Sequence, residues 1–249
     1  MIITHRGVNT GAPENTLAAF DSALRLGANA IECDARLTLD HQVVVHHDNR
    51  IRLADKRLAI SRTPLQELLR LRGEGPEILP TLEELFCFIR ERNVPSFIEV
   101  KTSSSILAES IIQRIALDDL WTQVHIIGFS VFVRRALRLQ KTYPQLRVIP
   151  LMNLPMFSYV RLPARSYGVF VGWIDGMVGT ERLFRLTVAP SRLASLREYY
   201  EGHGFQVFAG VINRPADLRL FKDAGFAHVV TDDIPTATQH FQTQGLATS

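Results

Sequence analysis

The chain has 249 residues, with 28 basic and 25 acidic side chains, a formal net charge of +3 and 46% apolar residues. This composition excludes a disordered chain, because disorder needs low hydrophobicity and strong charge repulsion. The charges are also interspersed and lack the clustered basic stripe that nucleic-acid binding requires, so no nucleic-acid partner is expected.

No apolar run reaches the length of a membrane span, and the N-terminus has no basic region ahead of a long apolar stretch. The two cysteines, Cys33 and Cys87, are too few for a disulfide framework and lie in no CxxC motif, which favours buried thiols in a reducing compartment. These features predict a cytoplasmic protein without stable membrane insertion. They leave the oligomeric state open.

Short β-rich apolar runs alternate along the chain with segments of helical spacing, as is typical of a parallel sheet with helices outside it. The predicted strands are 1–5, 30–34, 43–47, 96–101, 124–129, 147–151, 168–173, 206–211 and 228–231. Asn15 or Thr16 is expected to cap the first helix, with Gly27 just past its C-terminal end. Thr81 and Glu84 have the spacing of a capping box before a later helix.

The strands at 30–34 and 43–47 are separated by eight residues, which is too short for a parallel crossover of about a dozen residues or more. They are therefore expected to form an antiparallel hairpin that turns at Asp40-His41. A symmetric hairpin about this turn pairs residues whose numbers sum to 81. The predicted pairs are Thr38 with Val43, Arg36 with Val45, and Asp34 with His47.

Once the hairpin strand is set aside, eight parallel strands remain, and they predict a (β/α)8 TIM barrel. Residues 1–249 are expected to form a single barrel domain with an insertion at roughly 36–80. The hairpin is expected to project from the C-terminal rim of the barrel, where such barrels place their active sites.

Strand periodicity predicts a polar cluster at this rim. The period of two puts Glu32 and Asp34 on one face of their strand, with Cys33 on the other, and it aligns Glu99 with Lys101. The predicted hairpin register places His47 opposite Asp34 on the same face. His5 ends the first strand and is expected to join the cluster.

Three clustered carboxylates repel one another unless a cation lies among them, and all-oxygen ligation favours Mg²⁺ or Ca²⁺ over zinc. Such a metal binds a phosphoryl oxygen as a Lewis acid. His5 and His47 are suited to act as acid and base across a phosphate ester, and Arg6 and Lys101 to offset developing negative charge. The site is therefore interpreted as a centre for metal-assisted phosphodiester cleavage.

Each of these residues also has a purely structural explanation when it is taken alone. A strand-end carboxylate is most often solvated or paired with a cation, and Lys101 is able to form a simple ion pair with Glu99. The functional interpretation therefore depends on the joint pattern.

The residues resemble the glycerophosphodiester phosphodiesterase family, with a match that is dense over residues 1–101. The shared motifs are His5-Arg6-Gly7, Pro13-Glu14-Asn15-Thr16, Glu32-x-Asp34, Thr38-x-Asp40, His47-Asp48, Pro80-Thr81-Leu82-Glu83-Glu84, Glu99-x-Lys101, Phe129 and Thr231-Asp232-x-x-Pro235. In this order the motifs are specific, although each short motif alone is weak.

The resemblance implies a metal-dependent barrel hydrolase that cuts small-molecule glycerophosphodiesters into glycerol 3-phosphate and an alcohol. The positions that match the family's functional residues are Glu32, Asp34 and Glu99 for the metal, His5 and His47 for the acid–base pair, and Arg6 and Lys101 for phosphate contacts. The resemblance leaves open which histidine is the acid. It also leaves open whether water or the glycerol 2-hydroxyl attacks first.

The second half of the chain departs from the family pattern. Gly210 stands where similar sequences carry a tryptophan in the seventh barrel strand. Trp173 either fills this space or packs in the core. Residues 152–190 match no known motif. Their bulky apolar side chains have two interpretations: they line an acyl-chain pocket, or, as is more common for such residues, they belong to the core. These residues include Met152, Leu154, Met156, Phe157, Tyr159, Val169 and Phe170.

Three functions are compatible with these sequence features. The favoured one is a glycerophosphodiesterase of broad headgroup tolerance. The second is an enzyme of lysophospholipase D type, and the third is a non-catalytic barrel that binds phosphorylated ligands.

Overall fold

The computed structural model describes residues 1–8, 10–53, 56–72, 78–151, 162, 165–173 and 179–241. Its strands are β1 (Ile2–His5), β2 (Ala30–Leu37), β3 (Val43–Val45), β4 (Arg50–Leu53), β5 (Lys56–Ala59), β6 (Ser96–Val100), β7 (Val124–Phe129), β8 (Arg147–Leu151), β9 (Gly168–Val171), β10 (Gln206–Ala209) and β11 (His228–Thr231). Its α-helices are α1 (Leu17–Arg25), α2 (Leu65–Arg72), α3 (Leu82–Arg92), α4 (Ser105–Asp118), α5 (Arg134–Leu139), α6 (Thr180–Thr187), α7 (Pro190–Gly202), α8 (Pro215–Asp223) and α9 (Ile234–Phe241).

Eight parallel strands form a nearly closed barrel, which confirms the predicted fold. Their order is β8-β7-β6-β2-β1-β11-β10-β9, and each neighbouring pair in this order is parallel. The two ends of the sheet meet where the backbone N–H of Tyr167 donates to the carbonyl of Val148 at 2.8 Å. The carboxyl ends of all eight strands therefore share one rim.

Side chains alternate between the barrel interior and the layer beneath the helices. The interior is filled by a cluster that includes Ile3, Phe97, Ile127, Ile149 and Phe208. Apolar residues of the opposite strand faces pack against the helices in two larger clusters. This alternation is the physical basis for separating Glu32 and Asp34 from Cys33, which is fully buried in one of the outer clusters.

Both predicted helix-start signals are present. Thr16 is the N-cap of α1, where its side chain accepts from the Ala19 N–H, and Gly27 follows the helix with φ +108°. Thr81 and Glu84 form a complete capping box at the start of α3. Asn15 does not cap this helix.

The predicted antiparallel hairpin is formed by β2 and β3, but its predicted register was wrong by one residue. The observed pairs are Ala35 with Val45, Arg36 with Val44, and Leu37 with Val43, whose numbers sum to 80. The cause is a loop of three residues in place of a symmetric two-residue turn. Thr38 N–H donates to the Gln42 carbonyl at 2.9 Å, and His41 adopts the left-handed φ of +60° that closes such a loop.

The segment between β3 and α3 contains a second, two-stranded antiparallel sheet, β4–β5, and α2. They share a small core of Val44, Ile51, Leu53, Ile60, Leu68 and Leu79. Asp40 ties this segment to the hairpin loop, because its Oδ1 accepts from Thr38 Oγ1 and from the Leu65 N–H at the start of α2. Among the described helices, none is both long and apolar enough to cross a membrane.

Candidate active site

The predicted site residues come from neighbouring barrel strands whose registers align them at the rim. His5 at the end of β1 is the Cα partner of Glu32 in β2, and Asp34 in β2 is the partner of Glu99 in β6. Lys101 directly follows β6. Because these strands are parallel neighbours, residues distant in sequence become adjacent side chains.

Glu32, Asp34 and Glu99 form one compact acidic cluster. Each offers a carboxylate oxygen that lies within 4.8 Å of the other two, and all three residues are buried. Buried carboxylates at such short separations repel one another strongly, since little water screens them. The cluster therefore needs positive charge.

Two basic side chains supply part of this charge. Lys101 Nζ lies 2.8 Å from Glu99 Oε2 and 2.9 Å from Asp34 Oδ1, and Arg6 Nε lies 3.1 Å from Asp34 Oδ2. Burial alone raises the pKa of Asp34, but the charges of Lys101 and Arg6 outweigh it and leave the pKa below its usual value. Asp34 is thus an ionised carboxylate at neutral pH.

No cation of the described residues lies as close to Glu32. Among the described residues, its carboxylate accepts the backbone N–H of Arg6 at 3.2 Å, while His5 and Lys101 act on it only at longer range. Burial and the charge of Asp34 raise the pKa of Glu32 to about 8. Without a bound metal ion, a proton therefore takes the place of a cation on Glu32 at neutral pH.

A constrained loop holds Asp34 and Arg6 in place. Asn15 donates from Nδ2 to Asp34 Oδ2 at 2.9 Å, and its Oδ1 accepts the Asp34 N–H at 3.0 Å. One side-chain amide therefore fixes both the carboxylate and the backbone of Asp34. Arg6 and Asn15 both have φ +58°, a left-handed conformation that costs non-glycine residues free energy. Gly7 follows with φ +70°, and a Cβ there would lie 2.6 Å from the Cβ of Ala19. The loop is therefore tightly packed against α1.

His5 belongs to a hydrogen-bonded chain that the sequence interpretation did not contain. Its Nδ1 lies 2.8 Å from Asp232 Oδ1, and Asp232 Oδ2 accepts from Asn213 Nδ2 at 2.6 Å. Burial lowers the pKa of His5, but the hydrogen bond to Asp232 and the charge of Glu32 outweigh burial and give a raised pKa. Because a carboxylate only accepts, the proton stays on Nδ1, and Nε2 is the nitrogen left for chemistry.

His47 lies at the same rim, although the predicted reason for its position was wrong. With the observed register His46 follows β3 opposite Asp34, and the His46 N–H donates to the Asp34 carbonyl at 2.9 Å. His47 lies beyond the end of β3, where Arg36 Nε donates to its carbonyl at 2.6 Å. Burial lowers the pKa of the His47 imidazole, and the charges of Asp34, Arg6 and Lys101 act on it as well. The ring is thus within electrostatic range of the acidic cluster.

Asp48 orients the second imidazole as Asp232 orients the first. His47 Nδ1 lies 2.9 Å from Asp48 Oδ1. Asp48 is exposed, so this pair is screened by water to a larger extent than the buried pair of His5 and Asp232.

The donor set of the cluster fits a hard divalent cation. It offers carboxylate oxygens from Glu32, Asp34 and Glu99, with no thiolate or imidazole among the three, which matches the preference of Mg²⁺ and Ca²⁺. Asp34 Oδ1 is buried, and among the described residues its partner is the Lys101 ammonium group at 2.9 Å. A divalent cation in this position would be held by the three carboxylates and would displace the Glu32 proton.

The structure decides between the two predictions for Trp173. Its ring contacts Phe184 and Phe221 at centroid distances of 5.7 and 6.1 Å, so it packs in the layer under the outer helices. A Cβ at Gly210, just after β10, would meet only backbone oxygens of Trp173 and Val171 at 3.6 and 3.9 Å. The indole of Trp173 therefore does not replace a side chain at Gly210.

The predicted acyl-chain pocket falls largely outside the described residues. Met152, Leu154, Met156, Phe157 and Tyr159 all lie there. The described members of the same set are accounted for by the core: Val169 is fully buried in an outer cluster, and Phe170 stacks on Phe208 inside the barrel.

A TIM barrel whose rim gathers three carboxylates, two imidazoles and two cations defines a hydrolase-type site with a place for a divalent metal. The chain matches the Glycerophosphoryl diester phosphodiesterase family over residues 5–236. It belongs to this family and is a phosphodiester hydrolase acting on glycerophosphodiesters.

Individual relatives agree with this assignment. A glycerophosphodiester phosphodiesterase of Caldanaerobacter subterraneus subsp. tengcongensis is 28% identical, with 95% of each chain covered. A lysophospholipase D of Rattus norvegicus is 26% identical over 96% of this chain and 85% of its own length. A solved phosphodiesterase of Oleispira antarctica, in complex with the product sn-glycerol-3-phosphate, shares the fold with a TM-score of 0.71, 21% identity, and coverage of 98% of this chain and 97% of its own.

Proposed function

We propose that this protein hydrolyses glycerophosphodiesters to glycerol 3-phosphate and an alcohol with one divalent cation, Mg²⁺ or Ca²⁺, bound by Glu32, Asp34 and Glu99. The observation that carries the proposal is the convergence of these buried carboxylates within 4.8 Å, including Glu32, which pairs with no cation among the described residues. The product complex of the Oleispira antarctica relative supports glycerol 3-phosphate as the product. Bound there, the cation supplies Lewis-acid polarisation of a phosphoryl oxygen.

His5 and His47 form the acid–base pair of the proposed reaction. Each imidazole is fixed at Nδ1 by a carboxylate, Asp232 for His5 and Asp48 for His47, so each presents Nε2. One Nε2 removes a proton from the attacking hydroxyl, which belongs to water or to the glycerol moiety, and the other protonates the departing alkoxide. Such proton transfers contribute about 10²–10⁴-fold to a rate.

Arg6 and Lys101 are the proposed phosphate-contacting cations. Burial lowers the pKa of Lys101, but the charges of Asp34 and Glu99 outweigh burial and keep it raised, so the ammonium group remains charged at the rim. Arg6 is held by its ion pair with Asp34 and by the loop that carries it. These fixed charges are preorganised to stabilise the additional negative charge of the phosphoryl transition state without rearrangement of the two side chains.

The experiment compares glycerophosphocholine with lysophosphatidylcholine after chelator treatment and after addition of Mg²⁺ or Ca²⁺. We expect release of glycerol 3-phosphate from glycerophosphocholine only when a divalent cation is present. Full turnover in excess chelator would refute the metal assignment. No release from either substrate with either metal would support the non-catalytic barrel.

The second candidate function is hydrolysis of lysophospholipids. It is favoured by the rat lysophospholipase D that matches nearly the whole chain. In the same experiment, choline release from lysophosphatidylcholine at a higher kcat/KM than from glycerophosphocholine would establish this second function over the first. A cytoplasmic location remains a prediction in either case.

A further inference from the structure

A second concave site lies at the opposite end of the barrel from the acidic cluster. It has a volume of about 660 Å³ and is formed where β8, β9 and β10 begin, together with the segments that lead into them. Arg147 is the first residue of β8, Tyr167 directly precedes β9, and Gln206 is the first residue of β10. The cavity therefore shares no residue with the proposed catalytic rim.

The walls of this cavity carry positive charge without acidic partners. Lys141, Arg147 and Arg165 line it, and no aspartate or glutamate is among its lining residues. Within the described part of the chain none of the three cations forms an ion pair with a carboxylate. Arg147 instead donates to the Thr122 carbonyl at 2.6 Å, and Arg165 donates to the Gln140 carbonyl at 2.7 Å. Arg147 also lies over the Tyr167 ring, 4.9 Å from its centroid, so the fold orients these guanidinium groups without a carboxylate to neutralise them.

Two buried polar atoms on the same walls also lack partners. Ser166 is 8% exposed and Gln140 is 3% exposed, and neither Ser166 Oγ nor Gln140 Oε1 has a hydrogen-bond partner among the described residues. The amide of Gln140 is held at its other end, since Nε2 donates to the carbonyls of Leu146 and Arg165 at 2.8 and 2.9 Å. Buried polar groups are normally satisfied, so such a pair beside three cations that have no described carboxylate partner indicates a ligand.

We propose that this cavity binds a phosphorylated small organic molecule. The three cations match a phosphate dianion, and the Ser166 hydroxyl is a donor for one of its oxygens. Gln140 Oε1 needs a donor, which a hydroxyl or amino group on the organic part supplies. The volume falls in the range of about 300–1,000 Å³ that small-molecule sites occupy, well above the size of inorganic phosphate.

The direct test is calorimetric titration of the full chain with adenosine 5′-monophosphate, ribose 5-phosphate and inorganic phosphate. We expect an organic phosphate to bind at least tenfold more tightly than inorganic phosphate. The double substitution Lys141→Gln and Arg165→Gln should weaken that binding at least tenfold, whereas Arg219→Gln, an exposed cation of α8 outside the cavity, should not change it. The variant Glu32→Gln should bind the probe as the unmodified chain does, which separates this site from the catalytic rim.

Binding that survives the double substitution, or that disappears in Glu32→Gln, would overturn the proposal. So would the absence of heat with any probe, or equal affinity for inorganic and organic phosphate, which would indicate an adventitious ion only.

A second variant distinguishes a binding role from a structural one. Ser166→Ala removes a buried hydroxyl that has no partner, so its Tm should be equal to or above that of the unmodified chain, while the affinity for the organic phosphate falls at least threefold. A lowered Tm with unchanged affinity would show that this hydroxyl serves the fold, and would contradict the proposal.

Discussion

Replacing Asp232 with asparagine is expected to disable His5 without moving it. In the native chain Asp232 Oδ1 lies at 2.8 Å from His5 Nδ1, and Oδ2 accepts from Asn213 Nδ2 at 2.6 Å. Asn213 is fixed in this orientation, because its Oδ1 accepts the Asp232 N–H at 2.8 Å and the Thr231 hydroxyl at 3.2 Å. The amide donor of Asn213 therefore continues to require an oxygen from residue 232.

This requirement determines how the new amide is oriented. Its oxygen must face Asn213, so its NH₂ group faces His5 Nδ1 and donates to it. Nδ1 then has to accept, and the proton of the neutral imidazole moves to Nε2. A catalytic imidazole in the wrong tautomer loses its function at a cost of up to about 10⁴ in kcat. We expect kcat to fall by about 10²–10⁴ and KM to change little, because Asp232 lies behind the imidazole.

The assay is release of glycerol 3-phosphate from glycerophosphocholine at saturating metal over pH 5 to 9. Loss of the Asp232 hydrogen bond and charge lowers the pKa of His5, so the limb of the pH profile that belongs to His5 should move to lower pH. Asp233→Asn is the matched control: it removes the same charge one residue away, where Asp233 accepts from Thr236 at the start of α9. Turnover of Asp232→Asn within about twofold of the control would refute the assigned role of the pair.

Three further outcomes are expected. His47→Gln should lower kcat by about 10²–10⁴, and unchanged turnover would remove it from the acid–base pair. Gly7→Ala should lower the free energy of unfolding by about 2 kcal/mol or more, because φ at Gly7 is +70° and the new Cβ would lie 2.6 Å from the Cβ of Ala19. An unchanged midpoint of urea unfolding would contradict this prediction. Burial lowers the pKa of the His125 imidazole to about 4, so on acidification the imidazole takes up its proton more readily in the unfolded chain than in the folded one. The free energy of unfolding should therefore fall as pH decreases from about 6.5 toward 4, by up to about 3 kcal/mol. His125→Phe, placed against Phe97, should flatten this acid limb of the stability profile, and an equally steep limb would be inconsistent with the neutral buried imidazole.

The barrel was predictable because its signals are local and repeated. Apolar runs of strand length alternate with helical spacing, and short separation alone distinguishes the hairpin of β2 and β3 from a crossover. The β2–β3 register was not predictable from a symmetric turn, because the register depends on the number of residues in the loop. Thr38 Oγ1 accepts from the Gln42 N–H and donates to Asp40, which stabilises a three-residue turn and shifts every pair by one.

The small sheet β4–β5 was missed for a different reason. Its strands are four residues each: β4 alternates exposed arginine with buried Ile51 and Leu53, but over too short a run to stand out, and β5 shows no alternation. They are stabilised by contacts with α2 and the hairpin, within the small core that contains Ile51 and Leu68. Tertiary contacts of this kind leave almost no pattern in the local sequence.

The acidic cluster was predictable from strand alternation, but the groups that orient it were only partly so. Asn15 has the residue type of a helix cap, yet its side chain bonds Asp34 across the rim while Thr16 takes the capping position. Asp232 had an available signal: it directly follows the last barrel strand, and barrel closure places β11 beside β1, which ends at His5. A contact such as that of Asp232 with His5, between residues near opposite ends of the chain, is predicted only when the barrel is assumed to close.

Calorimetric titration of Mg²⁺ and of Ca²⁺ into chelator-treated protein tests the proposed metal centre most directly. The unmodified chain should bind one divalent cation, Glu32→Gln and Glu99→Gln should each weaken that binding at least about tenfold, and Glu91→Gln, an exposed acid of α3, should leave it unchanged. Equal binding by all four proteins, or no binding by the unmodified chain, would contradict a metal centre formed by these carboxylates.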